Sequence, residues 1–207
     1  MEEIFITAFA SLFVVIDPLG IAPVFVALTE GGDREFRRRM AWRGTLLASA
    51  ILLFFAFVGR PFLDTLGISI DALKLAGGLM LLLLALEMVF EKRTARRESS
   101  AERAGDEHPE DISVFPLAIP LLAGPGAITT IILLMADPSG GWAGRGAVLV
   151  ALLLVLSISL VTFLLAGRIV DLVGRTTASI ISRVLGIVLA AFAAQFIIDG
   201  LRHAFLS

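Results

Sequence analysis

The segment Phe13-Val-Val-Ile-Asp-Pro-Leu-Gly-Ile-Ala-Pro-Val-Phe25 interrupts the first long apolar stretch of the chain. Pro18 and Pro23 each remove a backbone hydrogen-bond donor and crowd the preceding turn, while Gly20 adds backbone freedom. Asp17 directly precedes Pro18, which is the arrangement of a helix N-cap followed by a proline at the first helical position. The segment therefore predicts that one apolar helix stops at Asp17 and a second begins at Pro18.

The composition identifies the environment of this break. The chain has 207 residues, 57% of them hydrophobic and only 17% charged, with a mean hydropathy of +0.93, whereas about 25% of a typical soluble domain is charged. A net charge of −2 gives no basic field for nucleic acid. These values exclude an ordinary cytosolic enzyme, a disordered chain and a nucleic-acid module, and they predict an integral membrane protein.

Six segments are long enough to cross a bilayer, which takes about 20 apolar residues. We predict an all-α membrane protein with spans at Ile4–Leu28, Met40–Gly59, Ile68–Phe90, Val114–Ala136, Gly146–Gly167 and Ala178–Leu201. Asp17 then lies near the middle of the bilayer, where a lipid-facing carboxylate costs at least about 2.5 kcal/mol. Backbone left unpaired at that depth requires a packed interior or a water-filled cavity.

Lysine and arginine residues predict the orientation, since they favour cytoplasmic loops. Most of them fall in the first, third and fifth loops: Arg34, Arg37, Arg38, Arg39 and Arg43; Lys92, Arg93, Arg96, Arg97 and Arg103; and Arg168, Arg175 and Arg183. We therefore expect a multi-pass protein of the cell (inner) membrane with both termini outside. The acidic beginning, Met-Glu-Glu, is not that of a signal peptide, so we expect the first span to be retained.

The charged segment 91–112 divides the spans into two groups of three, residues 1–90 and 113–207. It lacks bulky apolar groups, and we interpret it as a cytoplasmic tether; a docking segment is the alternative. The halves show weak similarity, because Pro18 matches Pro125 at a shift of 107 residues and Gly77 matches Gly186 at a shift of 109. Since three is odd, a repeated three-helix unit enters the membrane from the opposite side, which predicts two inverted repeats.

The fourth span repeats the break of the first. Its sequence Pro120-Leu-Leu-Ala-Gly-Pro-Gly-Ala-Ile-Thr-Thr130 places a second half-helix start at Pro125, between Gly124 and Gly126. Thr129 and Thr130 offer hydroxyl groups one turn further on, although a bond to a carbonyl in the preceding turn explains them equally well. We therefore predict that spans one and four are both broken.

Two half-helix beginnings that meet inside the membrane form a pocket for a small polar solute. Their free N–H groups and positive dipole ends favour a carboxylate, while freed carbonyls and Asp17 favour an ammonium group or a proton. We predict a site for a small zwitterion, with the bilayer as surroundings, no metal and no resident cofactor. The predicted site residues are Asp17, Pro18, Gly20, Pro23, Gly124, Pro125, Gly126, Thr129, Thr130 and Gln195. For Gln195, lining the cavity and bonding across helices remain equal alternatives.

Three motifs resemble the MarC family of six-span bacterial and archaeal membrane proteins. They are Asp-Pro-Leu-Gly-Ile-Ala-Pro-Val-Phe (17–25), Pro-Leu-Leu-Ala-Gly-Pro-Gly-Ala-Ile (120–128) and Arg183-x-x-Gly186 followed by Ala-Ala-Gln-Phe (193–196). The resemblance covers nearly the whole chain except the charged segment. It implies transport of small neutral amino acids such as glycine and alanine, coupled to a proton or a sodium ion.

The function that combines these observations is secondary transport of a small neutral amino acid by alternating access. The alternatives are a channel, because opposed half-helices also build selective pores, or an exporter of another small polar solute. An enzyme is not expected, since His-Glu-x-x-His and Gly-x-Ser-x-Gly motifs are absent from the sequence and one buried carboxylate makes a poor acid–base pair. The sequence leaves the direction of transport and the oligomeric state open, and a homo-oligomer is compatible with it.

Overall fold

The computed structural model describes residues 1–90, 111–137 and 140–206, and every regular element in these ranges is a helix. The helices are α1 (Glu2–Ile16), α2 (Pro18–Leu28), α3 (Arg34–Thr65), α4 (Ile70–Val89), α5 (Ser113–Leu122), α6 (Pro125–Ala136), α7 (Gly141–Leu164) and α8 (Ala166–Leu206). The predicted tether 91–112 lies almost entirely outside the described residues.

The described helices contain five stretches that are long and apolar enough to cross a membrane, and α5 and α6 make a sixth if the bent pair counts as one span. These two helices meet at an angle of 56°, which confirms the predicted break in the fourth apolar segment. Large apolar side chains such as Leu46, Phe57 and Leu83 are exposed on the helix surfaces. Such a surface is stable in lipid, so the all-helical membrane class is confirmed.

Three helices begin earlier in the chain than the apolar patterns predicted. α3 begins at Arg34 rather than Met40, since the Asp33 carboxylate accepts a hydrogen bond from the Phe36 N–H (2.6 Å) and caps an arginine-rich first turn. α7 begins at Gly141 rather than Gly146. α8 begins at Ala166 rather than Ala178, and Gly174, with φ 75° and ψ 153°, interrupts it.

Small residues bring α4 and α8 together along their length, in opposite directions. A Cβ atom added to Gly78 would lie 2.9 Å from the Ala193 carbonyl oxygen, and one on Gly186 would lie 3.2 Å from the Ala85 carbonyl oxygen. Contacts this short leave no room for a side chain. Gly78 and Gly186 therefore allow the close packing of these two helices.

α7 follows the first broken span, α1 and α2, in the same direction. Near the beginning of both, Ile4 Cδ1 would lie 3.2 Å from a Cβ atom on Gly144. Near the end of both, the Phe25 and Phe163 rings stack with their centroids 4.8 Å apart. The unbroken helix α7 therefore packs against the broken span, α1 and α2, near both of its ends.

α3 likewise runs alongside the second broken span, α5 and α6, in the same direction. Near its beginning, Arg43 forms an ion pair with Asp111 (2.8 Å), and near its end the Arg60 guanidinium donates a hydrogen bond to the Ala136 carbonyl (2.9 Å). The helix between Arg43 and Arg60 is about 25 Å long at 1.5 Å per residue. α5 and α6 together cover this distance, which is close to the thickness of the hydrocarbon core.

Candidate functional site

The first break lies at Asp17, as predicted. This residue adopts a left-handed conformation (φ 56°, ψ 63°), which ends α1, and its N–H donates to the Phe13 carbonyl (2.9 Å). Its carboxylate then accepts a hydrogen bond from the Gly20 N–H (3.1 Å) in the first turn of α2. Pro18 is the first residue of α2 and needs no donor there. Asp17 therefore serves as the C-cap of one helix and the N-cap of the next.

The Asp17 carboxylate is buried and is shared with the other half of the chain. Only 1% of the residue is exposed. The Ser182 hydroxyl of α8, 165 residues away in sequence, lies 3.2 Å from both Asp17 Oδ1 and Asp17 Oδ2. A buried carboxylate is stable only where donors surround it. The break therefore faces protein, not lipid.

Gly20 allows these groups to approach. A Cβ atom at this position would overlap Asp17 Oδ2 and would lie 2.6 Å from the Ser182 hydroxyl oxygen. Any side chain here would separate α2 from α8. One turn further on, Pro23 lies half-buried inside α2 and leaves the Leu19 carbonyl without its helical donor.

The second break lies at Gly124, again as predicted. α5, which contains Pro116 and Pro120, has hydrogen bonds that reach five residues back, such as Ala123 N–H to the Ala118 carbonyl (2.9 Å). Gly124 is extended (φ −77°, ψ 169°), and α6 begins at Pro125, which is exposed.

The beginning of α6 differs from that of α2 because it has no side-chain cap. Helix geometry leaves the N–H groups of Gly126 and Ala127 without an intrahelical acceptor. Within the described chain the first turn of α6 therefore lacks a side-chain cap, whereas a carboxylate caps α2.

The two breaks lie side by side. A Cβ atom on Gly126 would lie 3.3 Å from Val15 Cγ1, 3.2 Å from Leu81 Cδ2 and 3.3 Å from Leu84 Cδ2. Val15 is two residues before Asp17, so the start of α6 contacts the end of α1. This contact packs the last turn of α1, which ends just before Asp17, against the first turn of α6.

Thr129 and Thr130 face the packed interior. The Thr129 methyl group lies against Gly77 of α4, where a Cβ atom would overlap it. Thr130 is fully buried, and its hydroxyl has no hydrogen-bond partner in the part of the chain that the structure describes. The back-bonding interpretation therefore does not apply to the Thr130 hydroxyl in this structure.

Gln195 lies away from the breaks. Its side chain is exposed, and its amide donates to the Asp199 carboxylate one turn further along α8 (2.9 Å). About 20 Å of helix separates it from Ser182, which contacts Asp17. Seven of the ten predicted residues therefore lie at the two breaks or within about one turn of them, Thr129 and Thr130 lie in the second turn of α6, and Gln195 lies far from both breaks.

Ser182 is the site residue that the sequence analysis missed. It lies between Ile181 and Arg183 in the sixth span, and serines in largely apolar helices commonly bond their own backbone. Its role depends on a contact between α2 and α8 that no local pattern encodes.

A separate pocket of about 240 Å³ opens at the other end of α1 and α6. Glu3 and Thr7 of α1 line it together with Leu134 and Asp137 at the end of α6. Because Val15 meets Gly126 at the opposite ends of the same two helices, α1 and α6 run antiparallel.

These features define a class of protein: a multi-pass helical membrane protein with two broken helices packed at a shared interior site. The chain belongs to the MarC family, since the sequence profile of "MarC family integral membrane protein" matches residues 2–205.

Relatives of similar length support this assignment. The UPF0056 membrane protein MJ1677 of Methanocaldococcus jannaschii is 41% identical over 99% of this chain and 98% of its own length. The UPF0056 membrane protein of Archaeoglobus fulgidus is 39% identical over 98% of this chain and 94% of its own. The UPF0056 membrane protein YvbG of Bacillus subtilis is 33% identical over 99% and 97%. No solved structure shows significant similarity. Archaeal and bacterial relatives imply a cell membrane.

Proposed function

We propose that this protein is a secondary transporter of small neutral amino acids, such as glycine and alanine, that works by alternating access at the two breaks. The observation that carries the proposal is the contact of Val15 with Gly126, which packs the end of α1, two residues before the buried Asp17, against the start of α6. A carboxylate attracts an ammonium group, and free helix N–H groups attract a carboxylate. The two charges of an amino acid backbone match these two partners.

The size of the substrate follows from the residues at the breaks. Gly20 and Gly126 have close neighbours where a side chain would lie. Both sites are too crowded for a bulky solute without larger helix movement. We therefore favour glycine and alanine over longer amino acids.

An inverted repeat is part of this proposal, and equivalent contacts support it. Ile4 and Asp111 are 107 residues apart in sequence, as are Phe25 and Ile132. Ile4 and Phe25 contact α7, whereas Asp111 and Ile132 contact α3. The unbroken helix of each half, α3 or α7, thus packs against the broken span of the other half. The antiparallel course of α1 and α6 agrees with opposite insertion of the two halves.

Six spans and outside termini complete the proposed topology. α5 and α6 cover the same membrane depth as the segment of α3 between Arg43 and Arg60, which favours a broken span over a re-entrant loop. The test uses single cysteines, since the chain has none of its own. In intact cells, Glu2→Cys should react with an impermeant maleimide and Arg38→Cys should not; the reverse pattern would invert the topology.

Transport is tested with purified protein in liposomes. We expect saturable uptake of labelled alanine or glycine under a proton or a sodium gradient, with the effective gradient identifying the coupling ion. Asp17→Asn keeps the helix cap but removes the charge, so uptake should fall at least roughly tenfold through loss of a charged hydrogen bond. Asp199→Asn, which changes a carboxylate outside the breaks, is the matched control. Absence of flux under both gradients would refute transport, and non-saturating single-file conductance would favour a channel.

A further inference from the structure

We propose that Ser182 occupies the position on Asp17 that the ammonium group of the bound amino acid takes. Substrate binding then displaces the Ser182 hydroxyl and separates α8 from α2. This inference rests on the transport function proposed above. It assigns Ser182 as a positioning residue that links occupancy of the site to helix movement.

The bond between Ser182 and Asp17 is long enough to be replaced. The hydroxyl oxygen lies 3.2 Å from each carboxylate oxygen, whereas a strong hydroxyl–carboxylate hydrogen bond measures about 2.5–2.7 Å. One hydroxyl hydrogen serves both oxygens. An ammonium group has three donors and a full positive charge, so it binds the same carboxylate more strongly.

The ammonium group and Ser182 cannot occupy this place together. The Asp17 residue is 1% exposed and Ser182 is 8% exposed. The place that a Cβ atom on Gly20 would take is occupied by the Asp17 carboxylate, and the Ser182 hydroxyl oxygen lies 2.6 Å from it. A ligand that reaches Asp17 from the side of α8 must therefore move Ser182.

α8 has a place where it can pivot. Gly174, eight residues before Ser182, breaks the helix with φ 75° and ψ 153°. Apart from Gly174 itself, its two chain neighbours and the nearby backbone of its own helix, no heavy atom of the described chain lies within 4 Å of the position of a Cβ atom at Gly174. The part of α8 that carries Ser182 is therefore joined to the preceding turns through an uncrowded hinge.

The test measures binding of labelled alanine to purified protein in detergent. Ser182→Ala removes the competing hydroxyl, so we expect roughly tenfold tighter binding together with a lower maximal rate of transport. Ser159→Ala is the matched control, because Ser159 is also a buried serine but its hydroxyl donates to the Val155 carbonyl of its own helix. Its alanine affinity should stay within about twofold of the wild type. Unchanged or weaker binding by Ser182→Ala would overturn the proposal.

A second measurement follows the displacement itself. Ser182→Cys places one thiol in a chain without native cysteine, and its reaction with a small methanethiosulfonate should accelerate severalfold when alanine is added. Ser159→Cys should show no such change. If the wild type binds neither alanine nor glycine, the proposed function fails. If it binds them but the thiol of the Ser182→Cys variant does not become more reactive, the displacement of Ser182 alone is refuted.

Discussion

Val15 of the first broken span lies against Gly126 of the second, close enough that a Cβ atom on the glycine would be 3.3 Å from the valine methyl group. The two residues are at the end of α1 and the beginning of α6. This contact places two helix breaks next to each other in the interior of the protein, with Asp17 on one side and the uncapped start of α6 on the other.

Substitution of Gly126 tests this contact. Gly126→Ala requires neighbours to move by a few tenths of an ångström, whereas Gly126→Val adds a whole isopropyl group against Val15, Leu81 and Leu84. We expect the valine variant to lose about 1–3 kcal/mol of stability through overpacking and the alanine variant to lose less. Thermal unfolding in detergent measures this. Gly146→Val, at a glycine with open space around it, is the control and should not show the overpacking loss.

The conformation of Asp17 predicts an order of stability among its variants. Asn is as good a helix cap as Asp, and it tolerates the left-handed region of the backbone. The unfolding temperature of Asp17→Asn should therefore lie within a few degrees of the wild-type value. Asp17→Ala loses the hydrogen bond from Gly20 and strains the backbone at φ 56°, a loss of about 1–3 kcal/mol. Thermal unfolding of the three proteins distinguishes them, and equal stability of Asn and Ala at position 17 would contradict the capping role.

The buried hydroxyl of Thr130 predicts a stabilising substitution. This hydroxyl has no partner in the described ranges, and an unsatisfied buried polar group costs about 1–3 kcal/mol. Thr130→Val keeps the shape and removes the polar atom, so its unfolding temperature should rise. Thr29→Val is the opposite control, because the Thr29 hydroxyl donates to the Phe25 carbonyl at 2.8 Å. A fall in stability for Thr130→Val would show that this hydroxyl makes a bond in the protein.

The ion pair between Arg43 and Asp111 predicts a response to acid. The Ser113 hydroxyl, the Ser113 N–H and the Arg43 guanidinium hold the pKa of the Asp111 carboxyl below its ordinary value. A depressed folded-state pKa stabilises the protein above the unfolded pKa of about 3.9, and this stabilisation is lost as the pH falls through the folded value.

Both side chains of this pair are substantially exposed, so the loss should stay below about 1 kcal/mol. Unfolding midpoints measured between pH 7 and pH 3 test it. Asp111→Asn should remove this part of the pH dependence and leave the rest of the profile in place. An identical profile for the variant would show that Asp111 does not contribute.

Both helix breaks were predictable because they depend on local backbone chemistry. Proline at the first helical position, an aspartate cap before Pro18 and glycine beside Pro125 act within a few residues of one another. The structure confirms both positions. The length of α3 was less predictable, because a capped, arginine-rich turn extends this helix beyond its apolar segment. The length of α8 was also less predictable, because this helix continues through the polar residues before Ala178.

Long-range contacts account for what sequence patterns missed. Nothing around Ser182 distinguishes it from a serine that bonds its own helix, and its partner lies 165 residues away. Gln195 had the right polarity for the site, but the packing of α8 against α4 places it about 20 Å further along the helix.

The sequence by itself determined the membrane environment, the helical class and the two places where helices stop, since these follow from composition and from prolines, glycines and caps acting locally. Only the tertiary structure decided which groups meet there. The approach of α8 to Gly20 and of α1 to Gly126 depends on side-chain volumes on several helices at once, and close packing of distant segments is a property of the whole fold.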